Sequence, residues 1–312
     1  MRLPIRRLFL ACLAVCSLST FAAAADPPAK IPGLGPVGEV KKVVGGLQFT
    51  EGPAADGQGN LYFSDIPADR IYKVDAQGAS SVFLEPSHHT NGLMINARGN
   101  LVACEMDGRI VEIDVKTKEV KSLADQYEGK RFNAPNDLVL DKAGGVYFTD
   151  PHFRAPMPLP QGKPAFYYRA ADGKVARLAD NLAAPNGAIL SPDEKTLYVI
   201  PSLQKQMFAY PVTAPGKLGE PRVFCELKQK DPAGNGGGDG LTVDVKGNLY
   251  ITSALGLQVY NPAGELLGII EFPEQPANAT FGGPGNKTLY VTARTSLYSV
   301  EMEVAGHVFP AK

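Results

Sequence analysis

An all-β fold, a six-bladed β-propeller of four-stranded blades, is predicted by three features of this sequence. A strand core of Leu/Val-Tyr type recurs six times, as Leu61-Tyr62-Phe63, Leu101-Val102-Ala103, Val146-Tyr147-Phe148, Leu197-Tyr198-Val199, Leu249-Tyr250-Ile251 and Leu289-Tyr290-Val291. A polar residue stands ten or eleven positions ahead of each core: Glu51, Asn91, Asn136, Asn186, Asp239 and Asn278. Turn-forming Gly, Asn, Asp and Pro separate the strands at matching phases, as in Gly57-Gln58-Gly59-Asn60 and Asp141-Lys142-Ala143-Gly144. A repeat of roughly 40–50 residues made of short strands indicates blades arranged around an axis.

The elements follow in chain order. Arg2, Arg6 and Arg7, an apolar run from Leu8 to Leu18 and small residues up to Ala25 read as a secretory signal peptide, residues 1–25. A periplasmic or secreted protein is therefore expected, and the apolar run is too short to span a bilayer. Residues 26–38, rich in Pro and Gly, are expected to be a flexible tether, and 39–312 a single propeller domain. In the first blade, Pro53 to Asp56, Leu61 to Asp65, Arg70 to Asp75 and Ser80 to Leu84 are the four strands, with Gly and Asn at the turns. Fourth strands recur as Val120-Lys121-Ser122-Leu123, Val175-Ala176-Arg177-Leu178, Arg222-Val223-Phe224 and Leu267-Gly268-Ile269-Ile270. The last repeat lacks a clear one. Val40-Lys41-Lys42-Val43-Val44 has no blade of its own, so the N-terminal strand is expected to complete the last blade and close the ring.

Cleavage would remove three arginines and no acid, taking the formal charge from −1 to −4. Such a chain has no electrostatic footprint for nucleic acid or an anionic membrane. Cys12 and Cys16 would leave with the signal, and Cys104 and Cys225 are expected to be free buried thiols rather than a pair. No zinc spacing and no Gly-x-Ser-x-Gly nucleophile motif is present.

Alternating strand direction puts the six polar residues on one face, at the centre of a mouth. Asp65, His88, His89, Glu105, Arg131, Asp150, His152, Arg154, Ser202, Gln204 and Arg294 are expected around them. Two carboxylates and up to four amide oxygens, without soft ligands, match Ca²⁺ or a similar hard ion. Glu51 and Asp239 would supply charge, Asn136 and Asn186 neutral oxygens. A cation open to substrate would polarise an ester carbonyl and lower the pKa of bound water. The competing reading is that Asn91-Gly92, Asn186-Gly187 and Asp239-Gly240 are only turns.

Phe49-Thr50-Glu51-Gly52-Pro53, Asn136-Asp137-Leu138 before Tyr147-Phe148-Thr149-Asp150-Pro151, Pro185-Asn186-Gly187 before Ser191-Pro192-Asp193, and Asp239-Gly240-Leu241-Thr242-Val243-Asp244 are similar to motifs of the gluconolactonase/regucalcin (senescence marker protein) family. The resemblance covers nearly all of the chain beyond the signal. It implies a six-bladed lactonase with one divalent metal in the channel, Ca²⁺ foremost, with Zn²⁺, Mn²⁺ or Mg²⁺ as alternatives. It implies metal ligands at Glu51, Asn136, Asn186 and Asp239, Asp239 as general base toward a metal-activated water, and substrate contacts from Asn136. Arg131 is open to two readings, a contact to a polar sugar lactone or a solvated loop charge. His152 is a candidate substrate contact or proton shuttle, against a plain loop histidine, and Asn91 is a candidate contact within the ring. The Pro-rich residues 150–165 and the Gly-rich stretch before Asp239, expected to be mobile, depart from the family pattern and would set specificity. The expected function is hydrolysis of a sugar-acid lactone by a monomer acting on a small molecule. Alternatives are a hydrolase of other esters or phosphotriesters, paraoxonase-like, and a non-catalytic binding propeller with a structural channel metal.

Overall fold

The protein is described by a computed structural model over residues 29–310. The expected signal peptide, residues 1–25, lies outside the described residues.

Six antiparallel sheets of successive strands form the blades. Their innermost strands are Thr50–Ala55, Thr90–Ile95, Leu138–Leu140, Pro185–Leu190, Leu241–Val243 and Pro276–Gly282. Second strands such as Leu61–Asp65, Leu101–Glu105, Val146–Asp150 and Leu249–Ser253 are buried at every position, because neighbouring blades cover both faces. That is why they read as apolar runs rather than as alternating strands. Outermost strands such as Ser80–Leu84 and Val120–Ala124 sit at the rim and are largely exposed. The core accordingly lies between blades. Val102, Cys104 and Ile110 of the second blade pack on Leu138, Phe148 and Tyr167 of the third, and Tyr250 and Val259 of the fifth on Phe281 and Val291 of the sixth. Each such fully buried side chain contributes about 1.5–3 kcal/mol through removal from water. Cys104 and Cys225 are both free and buried.

The sixth blade is completed by the N-terminal strand Val37–Val44, which pairs with Ser296–Glu301 through Lys41 opposite Ser299 and Val44 opposite Leu297. The ring is therefore closed by hydrogen bonds between the two ends of the chain. The described part of the expected tether is not loose. Ile31 and Leu34 are buried among blade five and six side chains, and Glu303 N–H donates to the Leu34 carbonyl. Two apolar residues among the prolines and glycines were enough to dock the segment. The Gly-rich stretch before Asp239, expected to be mobile, is also tied down: Gln229 bonds both the carbonyl and the N–H of Gly236, each at 2.9 Å.

Other features had no counterpart in the expected plan. A small hairpin, Gln126–Tyr127 with Lys130–Arg131, stands at the mouth between blades two and three. The segment after Glu301 crosses the opposite face: Val245 N–H donates to Ala305 O, Gly306 N–H to Asn286 O and His307 N–H to Val243 O. Residues 29–36 lie on that same face, where Lys246 Nζ reaches Gly33 O. Among the described residues no helix is long and apolar enough to cross a membrane.

Candidate active site

The ring residues stand at or just before the starts of the innermost strands, and two devices fix them to the next blade. The first is the glycine that follows in four of the six. Gly92 N–H donates to Asn136 O, Gly187 N–H to Asp239 O and Gly240 N–H to Ala277 O. A Cβ at Gly52, where φ is +49°, would strike the Asn91 carbonyl, and one at Gly240 would strike the Asn278 carboxamide. The Asn-Gly and Asp-Gly pairs thus make close contacts between blades. The second device is a hydroxyl near the end of the second strand. Ser64 Oγ donates to Asn91 O at 2.7 Å, Thr149 Oγ1 to Asn186 O at 2.7 Å and Thr252 Oγ1 to Ala277 O at 3.0 Å.

Acids at the ends of second strands hold the approach to the ring. Asp65 accepts from Phe49 N–H at 2.9 Å, two residues before Glu51. Asp150 accepts from Asn133 N–H at 2.9 Å and Ala134 N–H at 2.7 Å, just ahead of Asn136. Glu105 is paired with Arg109 at 2.6 Å. These expected mouth residues act as supports.

Three carboxyls influence one another at the axis. Burial pushes Glu51 well above the usual carboxylate range, and the charges of Asp239 and Asp137 push it further, against the N–H of Gly52 and the amide of Asn278. Burial raises Asp239 to about 6, opposed by a bond from Asn186 and by the charge of Arg294. Asp137 is raised by burial to about 7, against the N–H groups of Leu138 and Ala188. Asn186 Nδ2 donates to Asp239 Oδ1 at 2.6 Å and to Ser202 Oγ at 2.9 Å. Asn136 is buried, and Asn91 Nδ2 lies 3.9 Å from the Met106 sulfur. Beneath the ring a narrow cavity of about 90 Å³ runs down the channel past Asp137, Asn278, Leu138 and Phe281 to His307 and Phe309.

The donor set suits a hard divalent cation. It offers only oxygens, and its two ring carboxylates repel one another in a buried site, a cost that a bound cation relieves. Among the described residues no group of three or more His, Cys, Asp or Glu is arranged to hold a metal, so a cation at the axis would have to draw on the Asn oxygens as well.

Residues 49–295 match the SMP-30/Gluconolactonase/LRE-like region. The gluconolactonase of Zymomonas mobilis is 31% identical over 86% of this chain and 82% of its own length. A putative gluconolactonase of known structure superposes with a TM-score of 0.80 at 30% identity, covering 90% of this chain and 98% of its own. The Xanthomonas campestris gluconolactonase gives 0.78 at 30% identity over 89% and 95%. The chain belongs to the SMP-30/gluconolactonase family. The calcium-binding regucalcin of Agrobacterium tumefaciens, at 22% identity and a TM-score of 0.74 over 86% of this chain and 94% of its own, shares the fold.

Outside the ring, this family member places the other expected residues on the rim. Arg131, exposed on the small hairpin, donates to Phe132 O at 3.0 Å and Asn133 O at 3.2 Å. His152 is exposed and leans on Phe153 with ring centroids 4.8 Å apart. His89 Nδ1 lies 3.2 Å from Asp107 Oδ1. The cation whose charge reaches Asp239 is Arg294, which lies over the Phe49 ring and donates to Gln275 at 2.8 Å. The Pro-rich loop is bound to the hairpin by Gln161, whose Nε2 donates to the carbonyls of Tyr127, Lys130 and Arg131. Phe153 and Ala155 of this loop pack on Ile66, Met106 and Ala134, an apolar flank next to Asn91. Asp137 had been given no role. Its signal was available: an acid stands at the phase where four other repeats carry Gly.

Proposed function

We propose that the protein hydrolyses a sugar-acid lactone of the gluconolactone type, using a divalent cation, Ca²⁺ first, held by Glu51, Asn136, Asn186 and Asp239. At the coarser level the chain is a lactone-hydrolysing enzyme, a carboxylic ester hydrolase, like its gluconolactonase and lactonase relatives. The observation that carries the finer reading is the Asn186-bridged Asp239 beside the buried Glu51 at the bottom of the mouth.

A cation bound there supplies positive charge that polarises the lactone carbonyl and stabilises the oxyanion. Asp239 Oδ1 is engaged by Asn186, which leaves Oδ2 to take a proton from the attacking water. Burial raises this carboxyl to about 6 before the cation binds, and a bound cation would hold it ionised at neutral pH, ready to accept the proton. Water oxygen adds to the carbonyl carbon, the ring C–O bond breaks, and the proton on Oδ2 passes to the departing alkoxide. Asn91 and Asn136 would hydrogen-bond the substrate, with Arg131 and His152 as contacts for its outer groups.

A pH-indicator assay against sugar and aliphatic lactones, after chelation and with each ion restored, tests this. Turnover on sugar lactones that vanishes with chelator and returns with one ion is expected. Undiminished turnover after chelation overturns the cation, and no turnover on any lactone overturns the activity. The apolar flank of Ile66, Met106 and Phe153 favours a second reading, a more lipophilic lactone or ester, and turnover confined to aliphatic substrates would select it. Export to the periplasm or medium is part of the proposal, resting on residues 1–25. A mature N-terminus at Asp26, read by mass spectrometry, is its test, and a single-chain mass on sizing is expected for a monomer.

A further inference from the structure

We propose that Ser202 is a positioning residue that fixes the Asn186 carboxamide, so that its oxygen is presented to the cation. The inference rests on the cation reading above and extends it to a side chain that acts through Asn186.

A carboxamide has two ends of nearly equal size but opposite polarity, so a ligand asparagine is useful only if one orientation is enforced. The two N–H donors of Asn186 Nδ2 have two acceptors, Asp239 Oδ1 at 2.6 Å and Ser202 Oγ at 2.9 Å. With both donors spent, Oδ1 is the atom left for the axis. Asp239 alone is a poor guarantor of that orientation. It carries the negative charge on which the site depends, and a bound cation competes with Nδ2 for the same carboxylate. Ser202 is neutral and keeps its acceptor whatever happens at the axis.

The backbone around this pair is fixed from both sides. Thr149 of the third blade donates to Asn186 O at 2.7 Å. Ser202 N–H donates to Ala184 O at 2.9 Å, and Ser202 O accepts from Gly237 N–H at 3.0 Å. A Cβ at Gly237 would collide with the Pro201 carbonyl, so the glycine lets the loop lie directly on this strand end. Ser202 therefore joins the strand Thr196–Pro201 to both partners, Asn186 through its side chain and, through Gly237, the loop that delivers Asp239. Partners that orient ligands in this way typically change metal affinity about 10–100-fold when removed.

The test is Ca²⁺ titration by calorimetry on Ser202→Ala and Ser202→Thr beside the unaltered protein, each first stripped with chelator. Thermal midpoints are recorded with and without Ca²⁺. The alanine variant is expected to keep the metal-free midpoint but to bind Ca²⁺ about tenfold or more weaker, with a smaller Ca²⁺-induced rise in midpoint. The threonine variant, which keeps the hydroxyl, is expected to restore the affinity. Equal Ca²⁺ affinity in the alanine variant and the unaltered protein overturns the role of Ser202 and leaves the cation reading standing. Weak binding by both variants also overturns it, because shape rather than the hydroxyl would then be the cause. No Ca²⁺ binding by the unaltered protein overturns the cation reading for this ion, and the inference for Ca²⁺ with it.

Discussion

At the scale of single residues, the site is a small group of side chains whose charges are unfavourable without a partner. Glu51 and Asp239 raise the cost of ionising one another, and the structure offsets this with amides and N–H groups rather than with a buried cationic side chain. Asp239→Asn and Glu51→Gln keep shape while removing charge. Each is expected to lower turnover by about 10²-fold or more, with an unchanged circular dichroism spectrum. Full turnover in both variants would refute the proposed roles. The proposed role of Asp239 as base makes kcat/KM fall toward acid pH, below the value of about 6 that burial gives the cation-free carboxyl, and a pH–rate profile flat down to about pH 4 would exclude it.

At the scale of elements, the contacts that matter run between blades. Gly240 lets its strand approach the Asn278 carboxamide. Gly240→Ala is expected to destabilise the fold by about 1–3 kcal/mol through overpacking, measurable as a lower urea midpoint. Removing residues 29–44 would expose the strand Ser296–Glu301 as an open edge. Self-association is then expected by light scattering, and a monodisperse monomer would show that ring closure does not need this strand. The blades were legible because each second strand is an apolar run between turn residues, a local signal repeated six times. The ring was legible because its residues share one phase. Asp137 stands where four other repeats carry Gly, but its burial comes from packing that no local pattern announces. The crossing of the far face by residues 302–310 was not legible either, since it is held by backbone groups of Ala305, Gly306 and His307 that leave no pattern in side-chain types.

At the scale of the whole molecule, the buried acids make stability depend on pH in a definite direction. Asp137 and Asp150 are raised to about 7 and Asp239 to about 6, each chiefly by burial, whereas an unfolded aspartate titrates near 3.9. Between about pH 4 and 7 the folded chain keeps protons that the unfolded chain has lost, so stability falls as pH rises. Groups of depressed pKa, such as Glu274 at about 2, act in the opposite sense, up to about pH 5 where an unfolded glutamate is largely ionised. The thermal midpoint of chelated protein is therefore expected to decline from about pH 5 to 7, and a saturating divalent cation should flatten the decline. A midpoint that climbs across the same range without cation would contradict the assignment of these acids.

The first and last described segments of the protein, residues 29–36 and 302–310, lie on one side of the propeller. Gly33 and Lys246 meet there, Ala305 and Val245 meet there, and the mouth with Glu51 and Asp239 opens on the other. A bead, a carrier domain or a surface held against the segments at Gly33 or Ala305 would consequently face away from the mouth, so the geometry permits immobilisation without blocking the path of a diffusing substrate.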